Sequence, residues 1–386
     1  MIVKGLKMAE IVKNSQQAIK DAHLKLVFSL IHEIDGISRA DIKKLTKLSA
    51  TTVSALADEL LSENLILECG TKEASTSGRR AISLAPNPAG GHLAVVTVSE
   101  HHLRLRAYNI IFERIASSKV RLDQSKKLSE QIIDFVGENL CEVKNCGRLL
   151  GLTVGVPAII DSEGKILSST VLNFGGDDDL YGEISNAFEG SAVSLCNNSG
   201  LMAYAEKEFG STEAQNLVSV DISDGVGAAV MIDGNLYTGA TGMAGEFGHV
   251  SVDMCGKKCR CGSRGCLETL ISVPAILERA KDLTGSEMTL SDIRENADSA
   301  VISEIMRDVS KTLAFGINNL INIIDPDAVV ICGEIEELSE VLLPRITAEL
   351  EKISLPGRSI PVSFTALGDD AEFKGGAKFA LDRIFE

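Results

Sequence analysis

The chain has 386 residues and is long enough for two or three domains. Its longest apolar run, residues 149–160, is shorter than the roughly 18 residues that a membrane helix needs, and its first residues do not resemble a signal peptide. We therefore expect a cytoplasmic protein without a membrane partner. The net charge of −16 argues against nucleic-acid binding by the whole chain, but residues 1–85 hold 12 basic and 10 acidic residues, which leaves −18 on the rest. A near-neutral to basic head on an acidic body suggests two separate activities.

The head is predicted to contain three helices. The first runs from about Ala22 to Ile34. Ser38 can cap the second, with Asp41 completing an acidic capping box, and Ser49 can cap the third. In the third helix the apolar residues fall on one stripe: Val53, Leu56, Ala57, Leu60 and Leu61. The close succession of the last two helices is typical of a helix-turn-helix.

A β-hairpin is predicted after these helices. Two short apolar segments, "LILECG" and "AISLAP", flank the loop "TKEASTSGRR". The hairpin would form the wing of a winged helix-turn-helix over residues 1–86. The predicted DNA contacts are small residues at the start of the third helix and two arginines in the wing: Ser49, Thr51, Thr52, Ser54, Arg79 and Arg80. The alternative is a helical bundle for protein contacts with solvated arginines, but the caps, stripe, hairpin and charge all favour DNA.

The segment "APNPAGGH" supplies a linker, and strands then alternate with helices. Three strands are predicted over residues 92–122, a helix over 128–143, a strand from 149, a hairpin over 216–234, helices near 271–283 and 301–321, and a strand over 327–333. Two α/β halves that each open with a β-meander suggest a two-lobed actin-like fold. The predicted lobes are residues 90–198 and 199–386, with a last helix, 373–386, that could pack back on the first lobe.

The stretch "CRCGSRGCLE" places three of the nine cysteines within eight residues. In a reducing compartment such a cluster favours a metal or catalysis over disulfides. His249 lies ten residues before Cys259, and one imidazole with the thiolates of Cys259, Cys261 and Cys266 completes a closed tetrahedral zinc site. Cys255 is a spare thiol that could compete, and unligated cysteines are the simpler alternative.

Together with the head, "GVPAIID", "GMAGEFGHVSVD" and "CRCGSRGCLE" resemble the ROK family (repressors, open reading frames and sugar kinases) over essentially the whole chain. The similarity is greatest to its transcriptional regulators of the xylose-repressor and N-acetylglucosamine-repressor kind. The resemblance implies an actin-like ATPase (ribonuclease H-like) sugar-kinase fold and the same four zinc ligands. It also implies sugar contacts from Asn197, Asn198, Glu246, His249 and Glu268.

The kinase machinery of the family is degraded in this sequence. Thr97 and Ser99 stand where the kinases have an Asp-x-Gly phosphate loop, and Asn198 replaces the aspartate that acts as general base. Asp224 stands where threonine is expected in the second phosphate loop. Two further departures are Gly200, where a second asparagine is usual, and Cys332-Gly333, where the family has Gly-Gly. These changes predict a sugar sensor that is not an enzyme.

The sequence thus predicts a sugar-responsive transcriptional regulator, most readily a repressor of carbohydrate uptake or catabolism genes. It would bind operator DNA as a homodimer or tetramer, hold one structural zinc per chain and respond to a sugar or sugar phosphate. The alternative is an ATP-dependent sugar kinase with an attached DNA-binding domain. A pure protein-interaction module is a third class, which would bind no duplex even at low salt.

Overall fold

The computed structural model describes residues 8–71, 82–140, 147–161, 164–169, 172 and 179–385. Its first elements are three helices and an antiparallel two-stranded sheet: α1 (Met8–Glu33), α2 (Arg39–Thr46), α3 (Ala50–Ser62), β1 (Ile66–Thr71) and β2 (Ile82–Pro86). The predicted caps are confirmed, since the Ser38 side chain accepts from the Asp41 N–H and that of Ser49 accepts from the Thr52 N–H. Arg79 and Arg80, at the predicted wing tip, lie outside the described residues.

Helix α1 begins well before the predicted position near Ala22. Residues 16–20 of this helix are exposed and read Gln-Gln-Ala-Ile-Lys, which is too polar to form an apolar stripe that a sequence pattern would reveal. The stripe begins where the helix is covered, with Val27, Phe28 and Ile31 fully buried.

The first lobe is built on a five-stranded sheet with strand order β5-β4-β3-β6-β9. Its strands are β3 (His92–Val98), β4 (His102–Asn109), β5 (Arg114–Arg121), β6 (Leu149–Val156) and β9 (Ala192–Asn197). Two helices, α4 (Leu128–Leu140) and α5 (Leu180–Ala187), and a short hairpin of β7 (Ile159–Ile160) and β8 (Ile166–Ser168) complete it. The predicted opening meander is confirmed, because β3, β4 and β5 pair antiparallel.

The second lobe repeats this plan with strand order β12-β11-β10-β13-β14. Its strands are β10 (Leu217–Ile222), β11 (Val226–Ile232), β12 (Asn235–Tyr237), β13 (Ala328–Cys332) and β14 (Val362–Phe364). Its helices are α6 (Asn198–Phe209), α7 (Glu268–Ile271), α8 (Val273–Thr284), α9 (Leu290–Glu295), α10 (Ala300–Ile324), α11 (Ser339–Ile353) and α12 (Ala371–Leu381). Each lobe therefore pairs a meander with parallel strands, and the mixed α/β prediction is confirmed.

The last helix packs on the first lobe. Helix α12 lies against α6 and against strands β3 and β6. Two glycines make this approach possible, since a Cβ on Gly375 would collide with the carbonyl oxygen of Leu201 and one on Gly376 would collide with Val95. Helix α6 also packs on β10 and β11, so it stands between the two sheets.

The head shares a hydrophobic core with the first lobe. Val27, Phe28 and Ile31 of α1 belong to one apolar cluster with Leu93 of β3 and Tyr108 of β4. The linker is also tied down, because the Asn87 amide donates to the carbonyl oxygen of Asn64 at 2.9 Å. Movement of the head relative to the first lobe therefore requires rearrangement of packed side chains. Within the described ranges, no helix combines the length and the apolar character that crossing a membrane requires.

Candidate metal centre and ligand cleft

The side chains of His249, Cys259, Cys261 and Cys266 converge, with all four ligand atoms within 4.8 Å of one another. His249 Nδ1 lies 3.7 Å from Cys259 Sγ, and Cys261 Sγ lies 3.6 Å from Cys266 Sγ. Zn–S and Zn–N bonds of about 2.3 and 2.0 Å at tetrahedral angles give edges of roughly 3.5–3.8 Å. The donor set and its spacing therefore fit a tetrahedral zinc ion.

The backbone of the cysteine loop folds back on itself to bring the thiols together. The Cys259 N–H donates to Ser263 O at 2.8 Å, and the Gly262 N–H donates to Cys259 O at 3.0 Å. Gly262 and Gly265 have φ of +92° and +66°, which a side chain would strain. A Cβ on Gly265 would also collide with the backbone of Asp253, so this loop needs glycine there.

The electrostatics of the thiols call for a cation. Burial raises the pKa of Cys266 to about 12, whereas the Ser263 N–H lowers the pKa of the exposed Cys261. Three thiolates in this space are stable only if a metal neutralises them. Cys255 does not join the cluster, and it is an exposed residue.

His249 faces both the thiols and the cleft between the lobes. Its Nδ1 points to Cys259, while its Nε2 lies 3.8 Å from Glu246 Oε2. Burial raises the pKa of Glu246, and His249 opposes that rise. The candidate metal centre therefore forms one wall of the cleft.

Glu268 is joined to the cysteine loop by an arginine that the sequence analysis did not single out. Arg260 donates from Nε and Nη2 to the two Glu268 carboxylate oxygens at 3.0 and 3.1 Å. The Val226 N–H also donates to Glu268 Oε2, at 3.2 Å. Glu268 is only 7% exposed, so this forked ion pair orients a buried carboxylate at the cleft. The position of Arg260 between two cysteines of the cluster was the available signal.

The two asparagines lie at the start of α6. Asn197 caps this helix by accepting from the Ser199 N–H at 2.9 Å, and its amide donates to Ala158 O at 2.9 Å. Asn198 donates to Val98 O at 3.2 Å. Both residues line the cleft, and their amides bind α6 to the end of β3 and to the turn after β6 in the first lobe.

The cleft has a volume of about 790 Å³ and receives residues from both lobes. All five predicted ligand contacts line it: Asn197, Asn198, Glu246, His249 and Glu268. Of the positions where kinase residues are replaced, Ser99, Asn198 and Asp224 line the cleft, whereas Thr97 is buried in β3 and Cys332 in β13.

A row of carboxylates that the sequence analysis did not assign also lines the cleft: Asp221, Glu334, Glu336 and Glu372. Asp221 and Cys332 are register partners at the ends of the parallel strands β10 and β13. Burial raises the pKa of Asp221 to about 7.

On the head, the start of α3 presents small polar groups next to exposed lysines. Ser49 Oγ lies 2.7 Å from Thr51 Oγ1 and 2.8 Å from Thr52 Oγ1, and Thr51 is exposed while Ser54 is half-buried. The exposed lysines, which sequence analysis missed as candidates, lie at the end of α2 and just after it: Lys43, Lys44 and Lys47.

Two lobes with matching five-stranded sheets and a cleft between them define the actin-like ATPase fold, here preceded by a helical head. The ROK family model matches residues 100–383. The chain belongs to the ROK family.

Similarity to known proteins extends beyond the body of the chain. The chain is 29% identical over 387 residues to the xylose repressor of Bacillus subtilis. The aligned region covers 96% of this chain and 98% of the repressor. A crystal structure of a ROK family transcriptional regulator, a homologue of the E. coli Mlc protein, matches with a TM-score of 0.83 at 27% identity over 95% of this chain and 98% of its own. A ROK family glucokinase from Streptomyces griseus, solved with glucose and AMPPNP, shares the fold at a TM-score of 0.65 and 21% identity over 75% of this chain and 99% of its own.

Proposed function

We propose that this protein is a sugar-responsive transcriptional repressor of carbohydrate uptake or catabolism genes. One observation carries the proposal: the similarity to the xylose repressor covers 96% of the chain and so includes most of the head as well as the body. The head is then a winged helix-turn-helix over residues 1–86, and the body supplies lobes 90–198 and 199–386.

The operator-binding surface of the head is the start of α3. Thr51, Thr52 and Ser54 reach base edges, and Ser49 holds the helix end as its cap. Lys43, Lys44 and Lys47 are exposed beside this end and contact phosphates. On the basis of the sequence we also propose that Arg79 and Arg80 contact phosphates or the minor groove of the operator. Two heads in a homodimer read paired half-sites.

The effector is a sugar that binds the cleft beside the metal. Glu246 is only partly exposed, and in the part of the chain that the structure describes its ion-pair partner is His249 at 3.8 Å, so its carboxylate is suited to accept bonds from vicinal hydroxyls. His249 and Glu268 complete the wall, with Asn197 and Asn198 at its edge. Zinc held by His249 and the three cysteines fixes this wall, because His249 serves the metal and the cleft at once.

Signal transfer from the cleft to the head runs along α6. This helix begins at the cleft with Asn198 and ends at Phe209, whose ring packs edge-on against Phe112 at 5.0 Å. Phe112 in turn packs against His32 of α1 at 5.3 Å. Closure of the lobes around a sugar displaces α6 and so changes how α1 is held. The sugar must bind one arrangement better than the other, since equal affinity shifts no equilibrium.

The protein uses the kinase fold without kinase chemistry. Asn198 cannot take a proton from a sugar hydroxyl, and its amide is already bound to Val98 O. Ser99 offers no carboxylate for magnesium, and Asp224 places negative charge where phosphate would bind. A coupled assay with ATP, magnesium and a sugar panel distinguishes this from the kinase alternative, because turnover at ordinary kinase rates would support the enzyme.

Selection of duplexes from a random pool with the full chain tests DNA binding. We expect a single palindromic motif whose affinity falls steeply with salt. Lys43→Ala with Lys44→Ala should weaken every selected duplex, whereas Lys311→Ala, at an exposed lysine of α10, should not. Failure to enrich any motif would remove the regulator from consideration.

A further inference from the structure

At the two turns that close the far end of the cleft, four backbone N–H groups donate to acceptors of the protein itself. These turns are Ser223–Gly225, between β10 and β11, and Gly333–Glu334, after β13. The Val226 N–H donates to Glu268 Oε2 at 3.2 Å, and the Ser223 N–H donates to Gly225 O at 2.9 Å. In a phosphate-binding turn, such N–H groups point at the ligand. Here the Glu268 carboxylate already accepts the hydrogen bond that the Val226 N–H would otherwise donate to a phosphate.

The second turn repeats this arrangement. The Gly333 N–H donates to Glu336 Oε1 at 3.2 Å, and the Glu334 N–H donates to Ser223 Oγ at 3.2 Å. That hydroxyl donates onward to Asp221 Oδ1 at 3.0 Å. Gly333 cannot carry a side chain, because a Cβ would collide with Asp221 and φ is +93°. The Ser223 hydroxyl thus joins the two turns, and the carboxylates of Asp221 and Glu336 accept from that hydroxyl and from the Gly333 N–H.

The charges that line this end of the cleft are mostly negative. Its carboxylates include Asp221, Asp224, Glu334, Glu336, Glu337 and Glu372. Two of the cations in the cleft are held by carboxylates, since Arg104 pairs with Glu372 and Arg260 pairs with Glu268. Lys119, His101 and His102 lie at the rim on the first lobe, and Lys119 is exposed to solvent. Glu334 and Asp224 repel each other, which adds to the burial that raises the pKa of Glu334.

We propose that this cleft selects unphosphorylated sugars, neutral or amino-substituted, and excludes sugar phosphates and nucleoside triphosphates. The inference rests on the proposed function, because it names the class of effector that the same cleft accepts. Glu268 links the sugar-binding wall beside the metal site to the turn between β10 and β11. Its carboxylate lines that wall and also accepts from the Val226 N–H. A phosphate ester on a sugar bound at Glu246 and His249 would face Asp224 and Glu334 with its dianion, without a free backbone donor at Val226 or Gly333 to receive it.

Isothermal titration of the full chain tests the proposal with xylose, glucose, glucosamine and N-acetylglucosamine, each beside its terminal phosphate ester, and with ATP–magnesium. At least one parent sugar should bind at least about 100-fold more tightly than its ester, which corresponds to roughly 2.7 kcal/mol. ATP–magnesium should give no heat of binding. Asp224→Asn combined with Glu334→Gln should reduce the discrimination at least about tenfold by tightening the ester and leaving the parent sugar unchanged. The matched control is Glu351→Gln, at an exposed carboxylate of α11, which should preserve it.

A phosphate ester that binds better than its parent sugar, or ATP–magnesium that binds the unaltered protein, would overturn the inference and leave the sugar-responsive repressor standing. The absence of binding by every parent sugar and every ester would overturn both. Unchanged discrimination in the double variant would show that these two carboxylates do not exclude the phosphate, and would also overturn the inference as stated.

Discussion

His32 of α1 and Phe112 of the turn between β4 and β5 pack edge to face, with ring centroids 5.3 Å apart. The same imidazole bonds the carbonyl oxygen of Ile110 through Nε2 at 2.7 Å. Phe112 has φ of +60°, a conformation that a bulky residue rarely adopts, so its surroundings hold it there. Its position between His32 and Phe209 makes it a direct aromatic link between the head and the end of α6.

Phe112→Ala is expected to uncouple the sugar from the DNA. Removal of the ring deletes both aromatic contacts, so movement of α6 is transmitted less directly to α1. The ratio of operator dissociation constants with and without sugar should fall toward one, while the affinity for sugar alone stays within about threefold. Fluorescence anisotropy with labelled operator measures the first and titration calorimetry the second. Phe315→Ala, at an exposed phenylalanine of α10, is the control; an intact ratio in Phe112→Ala would place the coupling elsewhere.

Cys261→Ser is expected to remove the metal and lower stability. The purified protein should contain about one zinc per chain, and the variant should contain close to none, because a hydroxyl is a poor substitute for a thiolate ligand. The free energy of unfolding should fall by more than about 3 kcal/mol, since structural zinc supplies folding energy. Elemental analysis and urea denaturation measure the two effects. Cys255→Ser should retain both zinc and stability; full zinc in Cys261→Ser would mean that another residue completes the site.

Arg260→Met is expected to damage the cleft more than it damages the metal centre. The change leaves Glu268 buried with the Val226 N–H and without its forked cation, at a cost of roughly 2 kcal/mol of stability. Sugar affinity should fall at least about tenfold, a loss of 1.4 kcal/mol, while zinc content stays at one per chain. Arg260→Lys should restore only part of both losses, because an ammonium group cannot donate as a fork. Full sugar affinity in Arg260→Met would show that Glu268 needs no orienting partner.

Asp221→Asn is expected to stabilise the protein at alkaline pH and to flatten its pH dependence. Burial raises the pKa of Asp221 from 3.8 to about 7, so the folded chain holds this proton more tightly than the unfolded chain. The stability from this group is therefore complete below about pH 4 and is lost as the pH rises to 7. At pH 8 the variant should gain about 1–4 kcal/mol.

Urea denaturation from pH 5 to pH 8.5 measures this effect, with Asp233→Asn at an exposed turn as the control. Burial also raises the pKa values of Glu206, Glu246 and Glu334. The slope of the unfolding free energy against pH should therefore decrease in Asp221→Asn without vanishing. An identical slope in Asp221→Asn and the unaltered protein would show that Asp221 ionises normally in the folded state.

Features set by local sequence were predictable. The caps at Ser38 and Ser49 and the convergence of Cys259, Cys261 and Cys266 depend on residues close together in the chain. The antiparallel meanders follow from consecutive strands of suitable composition.

Features that depend on contacts between residues far apart in the chain could not be predicted from the sequence. Asp221 meets Gly333 only because β10 and β13 pair in parallel, and no local pattern marks that register. Phe112 meets Phe209 through a turn and a helix end that lie on different elements. Glu268 was predicted at the cleft, but the hydrogen bonds that it accepts from Arg260 and the Val226 N–H depend on the folded path of the loop. The packing of α12 against α6 likewise requires a glycine at position 375, and this requirement is visible only when the two helices are in contact.

We propose above all that sugar binding in the cleft controls the affinity of the head for operator DNA. The most direct measurement of this control is the operator dissociation constant of the full chain at fixed salt, with and without a saturating parent sugar identified by calorimetry. We predict that the sugar weakens operator binding at least about tenfold, or 1.4 kcal/mol of coupling. Equal dissociation constants with the cleft filled and empty would contradict the claim.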